Sequence, residues 1–337
     1  MDLFALTRQL IDIESVSGNE AAVGRFLHSH LTALGYEAQL VPVEGARCNV
    51  YAIPSGGSKP VVVFSTHMDV VPPWFGSSED GDNIYGRGAC DAKGIIAAQI
   101  GAAERLRREG VAVGLLFLVG EELDNRGAKI ANQMAHQLHD GACRFLINGE
   151  PTDNRLGLAS KGSLRADVIA SGKLAHSAYP ELGESAIEKL LTALERLRKM
   201  PLPQDREVGP CTMNIGTIEG GRAPNVIADH AMAKIQIRLV GPSEGLKKKI
   251  LEAVGELAEV KFVLDIPFVR LQAPEGFATM IAAYTTDIPG LTNWGEPSLL
   301  GPGSIHVAHT EREFISKKEM AAAVGLYVAL ADRLLRS

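Results

Sequence analysis

The stretch "VAVGLLFLVGEELD" at residues 111–124 runs an apolar segment directly into two adjacent carboxylates, Glu121 and Glu122. The apolar part reads as a buried strand. Two like charges side by side repel, and burying either is costly unless a cation or hydrogen bonds compensate. A solvated loop is the ordinary explanation for such a pair, and the rest of the chain changes that reading.

Outward from this strand, strand-like and helix-like segments alternate. Residues 20–35 have helical periodicity and stop at Gly35, and "PVVVFSTHMDV" is continuously apolar, as a strand covered on both faces should be. A helix over 93–110 closes at Gly110, another lies around 127–138, and "CRFLIN" at 143–148 is a strand. This order predicts an α/β fold with a mostly parallel sheet flanked by helices. From about residue 160 the order becomes β-α-β-β-α-β, the unit of ferredoxin-like domains. Alternation resumes after Pro267, with "ATMIAAYTT" as a strand and a final helix. The expectation is a discontinuous larger domain, 1–159 and 268–337, carrying an inserted smaller domain over 160–267.

At 337 residues the chain has room for two cores, and 46% apolar with 22% charged residues is an ordinary globular balance. A net charge of −6 without a basic cluster argues against a nucleic-acid partner. No segment approaches a membrane span, and the N-terminus reads as an amphipathic helix rather than a signal peptide. Cys48, Cys90, Cys143 and Cys211 are scattered and form no CxxC pair, which predicts free thiols in a reducing cytoplasm.

Acids and imidazoles recur at strand ends. His67 and Asp69 close one strand, and a carboxylate at that spacing can orient a metal-bound imidazole. Asp91 lies in "GRGACDAKG" before a helix, where an N-cap is the competing explanation. Glu121 and Glu122 close the next strand, Glu150 the one after, and His309 lies in "GPGSIHVAHTEREF" with His306 three residues before it. Open α/β sheets bind ligands at the carboxyl ends of their strands. Converging acids call for cations among them, and mixed oxygen and imidazole donors suit zinc, with cobalt or manganese as substitutes. Two metals need a bridging carboxylate and about two further ligands each, and this chain has that number with one carboxylate left over.

The set "STHMDVVP", "GRGACDAKG", "VGEE", "GEPT", "GKLAHSAYPELGESAI" and "GPGSIHVAHTEREFI" resembles, in order and through nearly the whole chain, the zinc-dependent aminoacylase and exopeptidase family. That family includes acetylornithine deacetylase, succinyl-diaminopimelate desuccinylase and carboxypeptidase G. The resemblance implies two zinc ions, one held by His67, Asp91 and Glu150, the other by Asp91, Glu122 and His309. It makes Asp91 the bridge, Asp69 the orienter of His67 and Glu121 the general base. It further implies that His176, in "KLAHS", stabilises the reacting carbonyl oxygen, that Asn225 and Arg238 contact a substrate carboxylate, and that the inserted domain serves as a lid and dimerisation domain. A homodimer with His176 crossing between subunits follows from the same resemblance.

The function expected is hydrolysis of an N-acyl amino acid of the deacetylase or desuccinylase type, with a dipeptidase or carboxypeptidase acting on short peptides as the alternative. A dinucleotide-binding oxidoreductase is set aside because "GRGACDAKG" spaces its glycines wrongly for G-x-G-x-x-G. A non-catalytic metal-binding scaffold leaves the spare carboxylate Glu121 without a task.

Overall fold

The computed structural model describes residues 2–336. Its helices are α1 (Leu3–Ile11), α2 (Ala21–Ala33), α3 (Gly94–Arg108), α4 (Arg126–Gln133), α5 (Ala135–His139), α6 (Ala186–Lys199), α7 (Glu244–Val254) and α8 (Lys317–Leu335). Its principal strands are β1 (Tyr36–Glu44), β2 (Arg47–Pro54), β3 (Val62–His67), β4 (Val113–Leu118), β5 (Phe145–Asn148), β6 (Gly162–Ser171), β7 (Thr212–Gly220), β8 (His230–Leu239), β9 (Glu259–Ile266) and β10 (Glu296–Leu299).

Contacts divide the chain into two units, one of residues 1–158, 271–280 and 286–337, the other of residues 159–270 and 281–285. The first holds a six-stranded sheet in the order β1-β2-β4-β3-β5-β10. β4, β3, β5 and β10 run parallel, while β2 pairs antiparallel with both β4 and β1. The continuous apolarity of the central strands follows from their period of two. Val113, Leu115 and Phe117 of β4 join one core with α1, α2, α3 and α8, and Leu116 and Leu118 join a second core with α4 and α5 on the opposite face. The glycine stops at Gly35 and Gly110 adopt φ of +87° and +83°, the left-handed conformation that ends a helix.

The second unit is an antiparallel sheet in the order β7-β8-β6-β9. Leu164, Ala166, Val168 and Ala170 of β6 pack against α6 and α7, which contribute Leu190, Leu194, Leu197, Leu246 and Ile250. The alternate residues, Ser163 and Arg165 of β6 with Gln236 and Arg238 of β8, lie on the other face.

Three local readings are corrected. The helix expected around 127–138 is two helices meeting at Met134. Of "ATMIAAYTT" only Thr279–Ala282 is strand, and residues 281–285 group with the second unit rather than the larger one. β3 ends at His67, so Asp69 lies beyond the strand.

Candidate metal centre

The parallel strands deliver their carboxyl-end residues to one place in the first unit. His67 ends β3 and is buried, and its Nε2 lies 2.8 Å from Asp91 Oδ1. His309 Nε2 lies 2.7 Å from Glu122 Oε1 and 3.3 Å from Asp91 Oδ2. One donor atom from each of His67, Asp91 and Glu150 falls within 4.8 Å of the others, and the same holds for Asp91, Glu122 and His309. Asp91 belongs to both groups. His67, Glu121 and Glu122 make a third group of the same size, so Glu121 stands close enough to reach a ligand position as well. His306 is exposed and joins none of these groups among the described residues.

Local structure explains these positions. After β4, Gly120 at φ +76° accepts the amides of Asp124 at 3.0 Å and Asn125 at 2.7 Å, folding "GEELDN" into a tight turn. A Cβ on Gly120 would meet Arg47 Nη2 at 2.8 Å and Asp124 Oδ1 at 2.9 Å, so only glycine fits this turn without displacement. Asp91 is not the N-cap of α3. Its backbone is non-helical at φ −127°, ψ 84°, and the helix begins at Gly94. His309 adopts φ +64°, a left-handed conformation that costs a non-glycine residue on the order of 1 kcal/mol.

Asp69 faces His67 through both its main chain and its carboxylate. His67 Nδ1 lies 3.0 Å from the main-chain oxygen of Asp69 and 3.6 Å from its carboxylate. The carboxylate also accepts the Ser17 hydroxyl at 2.7 Å and the amides of Glu121 and Glu122 at 3.1 and 3.2 Å. The main-chain oxygen of Asp69 orients the ring with the carboxylate close by, and the carboxylate also holds the turn that carries the two glutamates.

The electrostatics describe a donor set short of positive charge. Burial pushes Glu121 well above the usual carboxylate range, with Glu150 adding to it. Burial also raises Glu150 against the opposing His67, with Asp91, Asp287 and Glu122 adding to the rise. Glu122 is raised by burial and by Asp91. His309 rises to about 10 through its bonds to Asp91 and Glu122. Burial opposes protonation of His67, but Asp69, Asp91 and Glu150 together lift it above its ordinary value. Glu150 Oε1 is buried with no hydrogen-bond partner. A buried carboxylate oxygen facing further carboxylates and two imidazoles fits divalent cations, which supply the missing charge and the missing partner.

Asp287 was not foreseen. It follows "YTT" as the residue before a short turn of 3-10 helix, which reads as a simple cap. In the fold it is buried, its Oδ1 accepts the Asn125 side-chain amide at 3.0 Å and its Oδ2 has no partner. Burial raises it to about 7, with Asp69 and Glu122 among the added causes. The tertiary structure alone adds it to the acidic surroundings of the cluster.

His176, Asn225 and Arg238 belong to the second unit. The segment around His176 runs antiparallel to that around Asn225, with Ser177 N donating to Asn225 O at 3.0 Å and Ile227 N to Ala175 O at 2.9 Å. His176 is exposed, and its Nδ1 accepts the Ala178 amide at 3.1 Å, so a neutral ring carries its proton on Nε2. Arg238 is half-buried on β8, beside Ser163 of β6 in register. Burial lowers its pKa, with Arg165 adding to the effect.

Residues 158–262 match the family model of a peptidase dimerisation domain of the M20 type. The chain is 39% identical to a peptidase M20 domain-containing protein of Schizosaccharomyces pombe, covering 99% of this chain and 85% of that one. It is 35% identical to a probable carboxypeptidase of Paracoccidioides brasiliensis, with 99% and 86% covered. A solved tripeptidase from Staphylococcus aureus superimposes with a TM-score of 0.82 at 22% identity, covering 99% of this chain and 98% of that one, a likeness of fold. Fold and site together define a metal-dependent hydrolase of amide or peptide bonds. The chain belongs to the M20 peptidase family.

Proposed function

We propose that this protein is a di-zinc exopeptidase that cleaves the amide bond next to a residue bearing a free carboxylate. The observation that carries this reading is the sharing of Asp91 by two ligand-capable groups that together use every cluster ligand except Glu121. Asp91 would bridge the ions, with His67 and Glu150 completing one coordination set and Glu122 and His309 the other. Cobalt or manganese could substitute for zinc in such a donor set.

Zinc bound there supplies Lewis-acid polarisation of the scissile carbonyl and a lower pKa for the attacking water. Glu121 then takes the proton of that water as general base and delivers it to the leaving nitrogen as general acid. Its partly buried position beside Glu150 favours the protonated form it must hold between these transfers. The Nε2–H of His176 donates to the oxygen of the reacting carbonyl as negative charge develops there. Arg238, half-buried on β8, takes the substrate carboxylate with Asn225.

Short peptides are favoured as substrates over N-acyl amino acids, because relatives similar over nearly the whole chain are described as carboxypeptidases. We further propose a homodimer in which His176 completes the site of the partner subunit. The match to a dimerisation domain supports it, as do the open edge strand β7 with exposed Ile218 and the exposed Ile187 and Leu191 of α6. No helix among the described residues is long and apolar enough to cross a membrane, and four free cysteines fit a reducing cytoplasm.

The test is a screen of dipeptides, longer peptides, N-acetyl and N-succinyl amino acids with zinc or cobalt supplied after chelation. Turnover of peptides with a free C-terminus, and its loss on C-terminal amidation, is expected. Equal turnover of the amidated peptides overturns the carboxylate requirement, and full activity in the chelated protein overturns the metal.

A further inference from the structure

Arg87 and Glu313 form an ion pair beside the cluster, with Nη1 to Oε2 at 2.8 Å and both side chains at most 2% exposed. Neither residue is a candidate ligand, base or substrate contact. Burial of an ion pair is by itself a poor source of stability, because desolvation offsets the Coulomb attraction. Its hydrogen bonds suggest another task. Glu313 Oε1 accepts the backbone amides of Cys90 at 3.3 Å and Asp91 at 3.2 Å. Arg87 donates through Nη1 to the carbonyl of Thr310 at 3.1 Å and through Nε to the carbonyl of Pro73 at 3.2 Å, with its guanidinium stacked 5.1 Å from the Phe75 ring.

Three separate chain segments therefore converge on one ion pair. Pro73 lies four residues beyond Asp69, Thr310 directly follows His309, and Asp91 is itself held by its amide. Asp91 lies ahead of α3 with a non-helical backbone, and its amide is held by Glu313. We propose that Arg87 and Glu313 are a positioning pair that sets Asp91 between the two ligand groups and locks the His309 segment to the same point. This inference rests on the dinuclear reading above and assigns the pair no contact with substrate. Hydrogen-bonded groups behind the ligands of a metal site commonly contribute 10–100-fold to affinity or activity.

Two conservative variants test it. Glu313→Gln keeps the shape but must turn an NH2 group either to the guanidinium or to the two backbone amides. Arg87→Lys keeps the charge but replaces a planar fork serving three acceptors with a compact point charge. Zinc affinity by chelator competition should fall about 10–100-fold in both. The visible absorption of the cobalt(II)-loaded protein should change, and kcat at saturating metal should fall more than KM moves. Leu27→Ala, a core truncation on α2, serves as a control of comparable thermal destabilisation and should leave metal affinity and spectrum unchanged. Unaltered affinity and spectrum in both variants overturn the proposal, as does an equal loss in Leu27→Ala. Should the wild-type protein take up no cobalt, the dinuclear reading fails and this inference with it. Two ions bound alike by wild type and variants would overturn the positioning role alone.

Discussion

Asp69 holds Glu121 through the backbone: its Oδ1 accepts the Glu121 amide at 3.1 Å, while its Oδ2 accepts the amide of Glu122 at 3.2 Å. One buried carboxylate thereby orders the turn that presents both glutamates, and the neighbouring carbonyl of the same residue orients His67. The Ser17 hydroxyl, 2.7 Å from Oδ2, completes its surroundings. Burial opposes the charged form of Asp69, but the His67 imidazole first, and then the Ser17 hydroxyl and the Glu121 amide, hold its carboxyl below the ordinary pKa.

Asp69→Asn should therefore damage the base more than the metal. An asparagine has one acceptor oxygen, so its NH2 must face at least one donor, at a cost of about 1–3 kcal/mol. The expected result is a loss of kcat of about 10–100-fold at saturating metal with KM little changed. Ser17→Ala, which spares both amide bonds, should be milder. If excess zinc restores Asp69→Asn to wild-type kcat, the carboxylate serves His67 and not the glutamate turn.

Asp91→Ala and Glu121→Gln should separate binding from chemistry. Removing the shared carboxylate takes a ligand from both groups, so Asp91→Ala should lose metal and activity together, read by elemental analysis. Glu121→Gln should retain two zinc ions while turnover drops about 10²–10⁴-fold. Loss of metal from Glu121→Gln, with retention in Glu122→Gln, reverses the two assignments, an outcome that the grouping of His67, Glu121 and Glu122 leaves physically open.

His176→Ala should keep both metals and the dimer and lose about 2.7–4 kcal/mol of barrier stabilisation, the amount typical of one oxyanion donor. Mixed with Glu121→Gln under conditions that allow subunit exchange, it should regain part of the activity, because a heterodimer holds one intact composite site. Heterodimers that form without any gain in activity would show that His176 acts within its own subunit or not at all.

Much of this protein was legible along the chain because it depends on neighbours in sequence. The continuous apolarity of β3, β4 and β5, the left-handed glycines at 35 and 110, and the acids just beyond the strand ends are local features. They suffice for an α/β sheet with a site at its carboxyl edge and a β-α-β-β-α-β unit after it. The grouping of His67, Asp91, Glu122, Glu150 and His309 was also within reach, through a resemblance of motifs rather than through spacing alone. What only the tertiary structure decided depends on partners far apart in sequence. Arg87 meets Glu313 across 226 residues, and Asn125 meets Asp287 across 162. No local periodicity marks such pairs, because each member alone reads as an ordinary polar loop residue. The same holds for Asp69, whose spacing from His67 suggests one carboxylate–imidazole contact. Its carboxylate is also claimed by amides more than fifty residues away, because the parallel pairing of β3 with β4 brings their ends together.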